Sequence, residues 1–147
     1  MPKSTEELEN ELKTVQTTEE LMDWLDENKK KESFSIYLRQ LCHQHETELS
    51  KLANEVALSK SRIYALANGS KNPKRDTVIK LAIGIGATVE ETDKLLKLAG
   101  HKELYAKSEV DAIILYGIQN HMDMGEIEEL IQARGYLLIF TDEERNG

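Results

Sequence analysis

Apolar residues recur every three or four positions over most of the chain, the spacing that places side chains on one face of an α-helix. In residues 1–32 this pattern follows two capping signals, Ser4-x-x-Glu7 and Thr17-x-x-Glu20, and so predicts two short acidic helices. The polar run NKKKES is the expected joint to the next unit. Leu8, Leu12 and Val15 lie at helical spacing in the first helix, and the residues expected on the inner face of the second are Leu21, Trp24 and Leu25.

Residues 33–100 carry a denser apolar pattern that predicts five helices. The first is expected to run from residue 34 to about residue 44, and the next two are expected to cross tightly about a brief turn at Ala57. Ser59 is the expected N-cap of the third helix, and the fourth is the stretch RDTVIKLAIG. The signal Thr88-x-x-Glu91 opens the fifth, which Gly100 ends. The apolar residues expected to join the second and third helices are Leu49, Leu52, Ala53, Val56, Leu58, Ile63 and Leu66.

Beyond residue 100, Ser108-x-x-Asp111 and Asp123-x-x-Glu126 precede two further helical patterns, the second of which Gly135 ends. The apolar stretch YLLIF, residues 136–140, is predicted to be extended. Two environments are equally consistent with it, burial against the chain's own core and burial in a dimer. The sequence therefore predicts an all-α protein in three parts. These are an acidic N-terminal helical extension (1–32), a five-helix domain (33–100) and a C-terminal helical extension with a short apolar segment and a tail (101–147).

The composition favours a folded, helix-rich globular chain, since 39% of the 147 residues are hydrophobic, 31% are charged and only two are proline. The apolar runs are far shorter than the roughly 20 residues of a membrane-spanning helix, and the N-terminus is acidic where a signal peptide would be basic. The single cysteine, Cys42, excludes an internal disulfide and fits a reducing compartment. We therefore expect a cytoplasmic protein with no membrane partner.

Charge is unevenly distributed along the chain, whose net charge is -8. Residues 1–32 carry 5 basic and 10 acidic side chains, residues 33–82 carry 8 and 4, and residues 83–147 carry 6 and 13. Within the basic middle, the stretch SKSRIYALANGSKNPKR (residues 59–75) contains no acid at all. A basic middle between acidic flanks predicts a surface that faces a polyanion.

The third predicted helix has an outer side that is polar, cationic and free of carboxylates. An α-helix, about 10–12 Å across, fits the major groove of B-DNA, which is about 12 Å wide. Lys and Arg donate to guanine, Ser and Asn bond base edges or phosphates, and Ala can contact a thymine methyl group. The residues on this outer side are Lys60, Ser61, Arg62, Tyr64, Ala65 and Asn68.

The stretch LSKLANEVALSKSRIYALANGSKNPKRDTVIKLAIGIGATVEE resembles the helix-turn-helix domain of lambda-repressor-like regulators, also called the xenobiotic-response-element (XRE) family. The resemblance covers about residues 33–100. The acidic flanks are similar to those of a group of bacterial helix-turn-helix proteins that add two leading helices and a trailing helical segment. The positions in register with the family are Leu52-Ala53, the turn at 56–59, Ile63, Asn68-Gly69, Asn72-Pro73 and Leu81-Ala82.

The resemblance implies a five-helix, lambda-repressor-like domain in which residues 59–67 form the recognition helix. It implies base-facing positions at Lys60, Ser61, Arg62, Tyr64 and Ala65. It also implies that Gly69 takes a positive φ at the end of this helix. The implied phosphate contacts are Ser59, Asn68, Ser70, Lys71, Asn72, Lys74 and Arg75.

The chain departs from the family pattern at three places. Leu49 stands where the family usually has a phosphate-binding glutamine, and the preceding Glu46 and Glu48 would lie near the DNA backbone and repel it. Ala57 replaces the usual turn glycine and, if left-handed, costs on the order of 1 kcal/mol. Ile83 occupies a position that is often lysine, and we expect it to face outward as part of a partner or dimer surface.

Metal and enzyme interpretations have less support in the sequence. Cys42 and His45 are three residues apart, but His43 points about 100° away from Cys42 and no second zinc-type pair exists, so no metal is predicted. The stretch GIGATVEE imitates a glycine-rich nucleotide loop but lacks the preceding strand that a nucleotide fold requires. We therefore predict no cofactor and no catalytic residues.

Two functions of different classes follow. The first is a sequence-specific DNA-binding transcriptional regulator, expected to be a repressor that binds double-stranded DNA as a homodimer with half-sites about one helical turn apart. Its acidic flanks would dimerise or receive a signal from a protein or small-molecule effector. The alternative is a non-catalytic protein-interaction adaptor that uses a helix-turn-helix fold. Leu49, Glu46, Glu48, an outward Ile83 and the net charge of -8 favour the alternative.

Overall fold

The computed structural model describes residues 3–31 and 33–136, and over these residues the chain forms helices and no strand. The all-α prediction is confirmed, and five helices lie between residues 34 and 98 as expected. None of the helices in this part combines the length and apolar character needed to cross a membrane. In chain order they are α1 (Thr5–Thr14), α2 (Thr18–Lys31), α3 (Phe34–Gln44), α4 (Leu49–Glu55), α5 (Lys60–Ala67), α6 (Arg75–Ile85), α7 (Val89–Leu98), α8 (Glu109–Gln119) and α9 (Met124–Ala133).

Most helices begin at a residue whose side chain accepts a hydrogen bond from a backbone N–H of the first turn, which stabilises the helix end. The Ser59 hydroxyl accepts from the backbone N–H of Arg62 (N···O 3.2 Å), and α5 begins one residue later. Thr88 and Asp123 belong to complete capping boxes, in which the glutamate three residues on accepts from the cap's own N–H. The other side-chain caps of this kind are Ser4, Thr17, Ser33 and Ser108.

Helices α3 to α9 bury one apolar core that extends from Phe34 to Ile131. Leu52, Ala53 and Val56 are buried as predicted, whereas Leu49 packs at the edge of this core. Helix α5 contacts both α3 and α4, so its inner side is held from two directions. Residues beyond 100 contribute to the same core, because α8 packs against α7 and α9 packs against α6.

The turn between α4 and α5 contains Ala57 in the left-handed conformation, with φ 57°. Val56 and Leu58 on either side of it are both buried, so the chain reverses direction at the single exposed residue between them. The backbone N–H of Leu58 closes the turn on the carbonyl of Ala53 at 2.9 Å. The predicted turn position is confirmed, and the Cβ of Ala57 makes it a strained one.

Two glycines allow helices to approach closely. A Cβ added to Gly84 of α6 would lie 2.6 Å from Cγ1 of Val56 and 2.7 Å from Cδ1 of Leu52, both on the α4 side. A Cβ added to Gly117 of α8 would meet the side chain of Ile127 in α9, with Cδ1 at 2.6 Å and Cγ1 still nearer. The α4–α6 and α8–α9 crossings therefore both require a position without a side chain.

A cationic side chain is also enclosed where α6 meets α9. Lys80 is 1% exposed, and its positive charge acts on the half-buried Glu128 of α9. Burial raises the pKa of Glu128 above its ordinary value, while the charge of Lys80 opposes this rise. The two side chains link the C-terminal helix to the centre of the domain.

The N-terminal helices α1 and α2 are less buried than the sequence pattern predicts. The indole Nε1 of Trp24 donates to Oε1 of Glu11 at 2.9 Å and so ties α2 to α1. However, Leu12 is 40% and Leu25 is 45% exposed, and α1 has no buried residue. The prediction that Leu25 faces inward is wrong. Residues 137–140 of the predicted apolar segment lie outside the described residues.

Replacing Ala57 with glycine should raise the free energy of unfolding by up to about 1 kcal/mol, because it removes the Cβ from a left-handed residue. Urea unfolding monitored by circular dichroism measures the change. The matched control is Ala112→Gly inside α8, where the same substitution should lower stability by about 0.5–1 kcal/mol. A loss of stability in Ala57→Gly would show that the turn is not strained.

Replacing Gly117 with alanine should lower the free energy of unfolding by about 1–3 kcal/mol, because the new methyl group overlaps the Ile127 side chain and separates α8 from α9. Gly125→Ala in the first turn of α9 is the control, since its Cβ would meet only Oδ1 of Asp123 at 3.4 Å. Thermal unfolding measures the change in melting temperature of each variant relative to wild type. The melting temperature of Gly117→Ala should lie several degrees below that of Gly125→Ala. Equal melting temperatures would contradict the close α8–α9 approach.

Candidate nucleic-acid interface

The outer side of α5 presents polar and cationic groups to solvent. Lys60 and Ser61 are exposed, Tyr64 is 48% exposed, and Arg62 and Ala65 are half-exposed. On the opposite side, Ile63 and Leu66 are fully buried against α3 and α4. The structure therefore leaves all five predicted base-facing residues accessible to solvent.

The basic loop, residues 68–74, continues this surface from the end of α5. Gly69 has φ 85°, the positive value expected from the sequence. The Ala65 carbonyl accepts from the backbone N–H of Ser70 at 3.0 Å and of Lys71 at 3.3 Å, which folds the loop back onto the helix. These bonds hold the loop in a defined position next to the outer side of α5.

Within the basic loop the Ser70 hydroxyl donates to Oδ1 of Asn68, whereas Asn68 and the lysines keep donor groups for a ligand. Oδ1 of Asn68 accepts from the backbone N–H of Ser70 at 2.9 Å, so the NH₂ group is the part of Asn68 suited to contact an acceptor. Lys71, Asn72 and Lys74 are exposed, whereas Pro73 is buried. The exposed lysines and amide groups suit negatively charged phosphate oxygens.

Acidic side chains lie in the segment between α3 and α4. Glu46 and Glu48 are exposed in the segment before α4, and Glu46 is left-handed with φ 54°. Glu48 is the N-cap residue of α4, but its side chain makes no capping hydrogen bond. Leu49, the first residue of α4, is partly packed against the core. The departures noted in the sequence thus place carboxylates, and no amide donor side chain, at the start of α4.

Arg75 differs from the other predicted phosphate ligands, because its guanidinium is engaged within the chain. Its Nη1 and Nη2 lie 3.2 and 2.8 Å from the two carboxylate oxygens of Asp111, at the beginning of α8. Its Nε and Nη2 also donate to the carbonyls of Lys102 and Glu103, both at 3.1 Å. The phosphate role of Arg75 stays a prediction, but in this structure four acceptors surround its side chain.

A second connection joins the basic loop to the segment after α7. The ring Nε2 of His101 lies 2.8 Å from the carbonyl oxygen of Pro73. Since a carbonyl oxygen only accepts, this ring nitrogen carries the proton and donates. Neither His101 nor Asp111 was a predicted site residue, because their partners lie 28 and 36 positions away.

Ile83 does not form the outward apolar spot expected from the sequence. It is half-buried, packs against the core and lies near Met122 in the α8–α9 connection and Met124 at the start of α9. The expectation that Ile83 faces outward is therefore wrong. Its role as part of a partner surface loses its main support.

The cysteine and histidines of α3 serve separate structural contacts. Cys42 is buried, and burial raises the pKa of its thiol. His45 lies with Nε2 at 2.9 Å from Oε1 of Glu91, while Gln44 donates to Oε2 of the same carboxylate at 3.2 Å. His43 is exposed. The end of α3 is thereby joined to the beginning of α7.

Glu91 is the residue on which this connection depends. Besides bonding His45 and Gln44, Oε1 of Glu91 accepts from the backbone N–H of Thr88 at 2.9 Å. Burial alone would raise the pKa of Glu91, but the hydrogen bonds from Thr88 and His45 outweigh it and lower the pKa below its ordinary value of 4.5. The charged form of Glu91 therefore stabilises the folded protein.

No protein-family model, curated protein or solved structure matches this chain.

Replacing Glu91 with glutamine should lower the free energy of unfolding by about 1 kcal/mol near neutral pH, because a cap and an inter-helix contact lose their charged acceptor. The pKa of Glu91 is lower in the folded state than its ordinary value of 4.5. The stability that its charged form contributes is therefore complete above pH 4.5 and is lost as the pH falls through the folded-state pKa. The stability difference between wild type and Glu91→Gln should therefore shrink at acid pH. Glu90→Gln, at the exposed neighbouring position, is the control. A difference independent of pH down to acid denaturation would contradict the assignment.

Proposed function

We propose that this protein is a sequence-specific DNA-binding regulator of transcription, with α5 as the helix that enters the major groove. The observation that carries the proposal is the accessible surface of residues 59–75, which combines the outer side of α5 with the basic loop and contains no carboxylate. This surface belongs to a chain of net charge -8, so its cationic character is local. Local positive charge suits a polyanion such as DNA.

The side chains of α5 are suited to contact base edges. Lys60 can donate to guanine O6 or N7, Ser61 can donate or accept, and the half-exposed methyl group of Ala65 can contact thymine. Arg62 is half-exposed and Tyr64 is exposed on the same helix. Since Ile63 and Leu66 fix the inner side of α5, these groups are presented on a rigid helix, as base recognition requires.

The proposed arrangement is the lambda-repressor-like one, in which α4, the turn at Ala57 and α5 form the helix-turn-helix unit. Support comes from five helices at the expected positions, a left-handed residue in the turn and a positive-φ glycine after α5. In this arrangement Ser59, Asn68, Ser70, Lys71, Asn72 and Lys74 lie along phosphates. A homodimer would place two α5 helices in successive major grooves, about 34 Å apart. Repression by occupying a promoter is the simplest action for such a protein.

Lys60→Ala combined with Arg62→Ala should weaken binding to a selected operator by about 10- to 100-fold, because each contributes discrimination between bases. Binding to random duplex should fall much less. The operator is first obtained by selection from a random oligonucleotide pool, and affinities are measured by fluorescence anisotropy. If the double variant binds operator and random duplex as wild type does, α5 is not the recognition helix.

Lys71→Ala and Lys74→Ala should each weaken binding to operator and to random duplex alike. Each should also reduce the slope of log K against log salt by about 1, because each removes one phosphate contact. Lys107→Ala is the matched control. It removes the same charge from an exposed position in the segment before α8, outside the proposed interface. An equal loss of slope in Lys107→Ala would mean that net charge alone determines binding.

The adaptor function is the second candidate, and a separate observation favours it. The α1–α2 pair exposes Leu12, Met22 and Leu25 together with many carboxylates, and such a surface suits a protein partner better than DNA. The oligonucleotide selection decides between the two, because an adaptor enriches no sequence. Recovery of a palindromic site would exclude the adaptor as the sole function.

A further inference from the structure

Lys74 lies between two residues that are both fastened to the segment after α7. The carbonyl of Pro73 accepts from His101, and the guanidinium of Arg75 binds Asp111 and the carbonyls of Lys102 and Glu103. These two bridges therefore fix the backbone on both sides of the last lysine of the basic loop.

The Arg75 bridge needs the shape of a guanidinium. Three nitrogens of its planar fork donate to four acceptors that lie in different directions, two carboxylate oxygens and two backbone carbonyls. A lysine ammonium is a single charged centre at a different position and would not reproduce this set of bonds. The bridge to Asp111 therefore requires arginine. A phosphate, in contrast, would also attract the charge of a lysine at this position.

The carboxylate of Asp111 is itself held in place, so its ion pair with Arg75 has a fixed position. It is 6% exposed, and its Oδ2 accepts from the backbone N–H of Tyr105 at 2.9 Å in addition to Arg75. The neighbouring Leu104 N–H donates to Asp93 of α7 at 3.0 Å. The segment from 101 to 105 is therefore fixed to α7 and α8 and forms a rigid support behind the basic loop.

We propose that Asp111 and His101 are positioning residues for the DNA contacts of the basic loop, and that they act through Arg75 and Pro73. The inference rests on the proposed function. The two bridges join the basic loop to the segment that leads into α8. In this proposal α8 therefore determines the position in which Lys71 and Lys74 contact the phosphates. A partner or ligand that displaced α8 would thereby change affinity for DNA.

Asp111→Asn tests the proposal through the sign of its effect. Loss of a negative charge from an acidic protein strengthens its attraction to DNA, whereas loss of a positioning bridge weakens binding. We expect Asp111→Asn to bind operator about tenfold more weakly, with an unchanged salt slope. Glu103→Gln is the matched control, because it removes the same charge from an exposed side chain that pairs with exposed Lys97. Tighter binding by both variants would overturn the proposal.

Arg75→Lys separates positioning from direct phosphate contact. A lysine retains the charge for a phosphate but loses the fork, so a positioning role predicts weaker binding with the same salt slope. If Arg75→Lys binds as wild type while Arg75→Met loses about 1 from the salt slope, Arg75 is a phosphate contact and the proposal is overturned.

The His101 bridge supplies a pair of variants that should leave the fold intact. His101→Leu removes the donor to Pro73 and should weaken binding several-fold, whereas His101→Gln places an amide N–H near the position of the ring nitrogen and should restore it. Equal binding by both variants would remove His101 from the proposal. Circular dichroism at the assay temperature confirms that each variant is folded.

Amide hydrogen exchange without DNA distinguishes failure of this inference from failure of the proposed function. The N–H groups of Ser70 and Lys71, which bond the Ala65 carbonyl, should exchange faster in Asp111→Asn and His101→Leu than in wild type or Glu103→Gln. If the wild-type protein selects no DNA sequence, the proposed function fails, and faster exchange still shows that the bridges order the loop. Unchanged exchange in both variants overturns the inference even if the protein binds DNA.

Discussion

The position of α5 depends on how closely α4 can approach α6. At Gly84 the two helices meet with no room for a side chain, since a methyl group there would lie within 2.7 Å of both Val56 and Leu52. This contact fixes α4, and the chain then leaves α4 through a turn with one exposed residue before Leu58 enters the core. The strain at Ala57 is tolerated because the buried residues on either side leave no other path. The cationic side of α5 is outward as a consequence of this packing.

The elements that the sequence predicted well are those determined by neighbouring residues. Helix starts at Ser59, Thr88 and Asp123 follow from hydrogen bonds that span three positions, so each signal is complete within a short stretch. The outer side of α5 follows in the same way from the spacing of Ile63 and Leu66. The solvent accessibility of the five base-facing candidates could therefore be predicted from the sequence alone, although their contact with DNA is a separate matter.

The contacts that sequence analysis missed join residues far apart in the chain. Asp111 could not be paired with Arg75 because nothing in either local pattern specifies a partner 36 residues away. A signal was nevertheless present, since Arg75 is the first residue of α6 and a positive charge is unfavourable beside the positive end of a helix dipole. A cation at such a position suggests a carboxylate partner from elsewhere. The exposed Leu25 was missed for the opposite reason, because helical spacing does not require that a partner be present.

The internal use of Arg75 also bears on how the proposed regulator would gain affinity. With that guanidinium held by Asp111, the exposed lysines of the proposed interface are Lys60, Lys71 and Lys74, with half-exposed Arg62 beside them. Each phosphate contact contributes about 0.9 to the salt slope, so one protomer releases few counterions. In the proposed regulator, affinity would then come from two protomers bound together and from well-placed base contacts. A surface with few cations therefore favours exact placement of the basic loop, which the bridges from His101 and Asp111 provide.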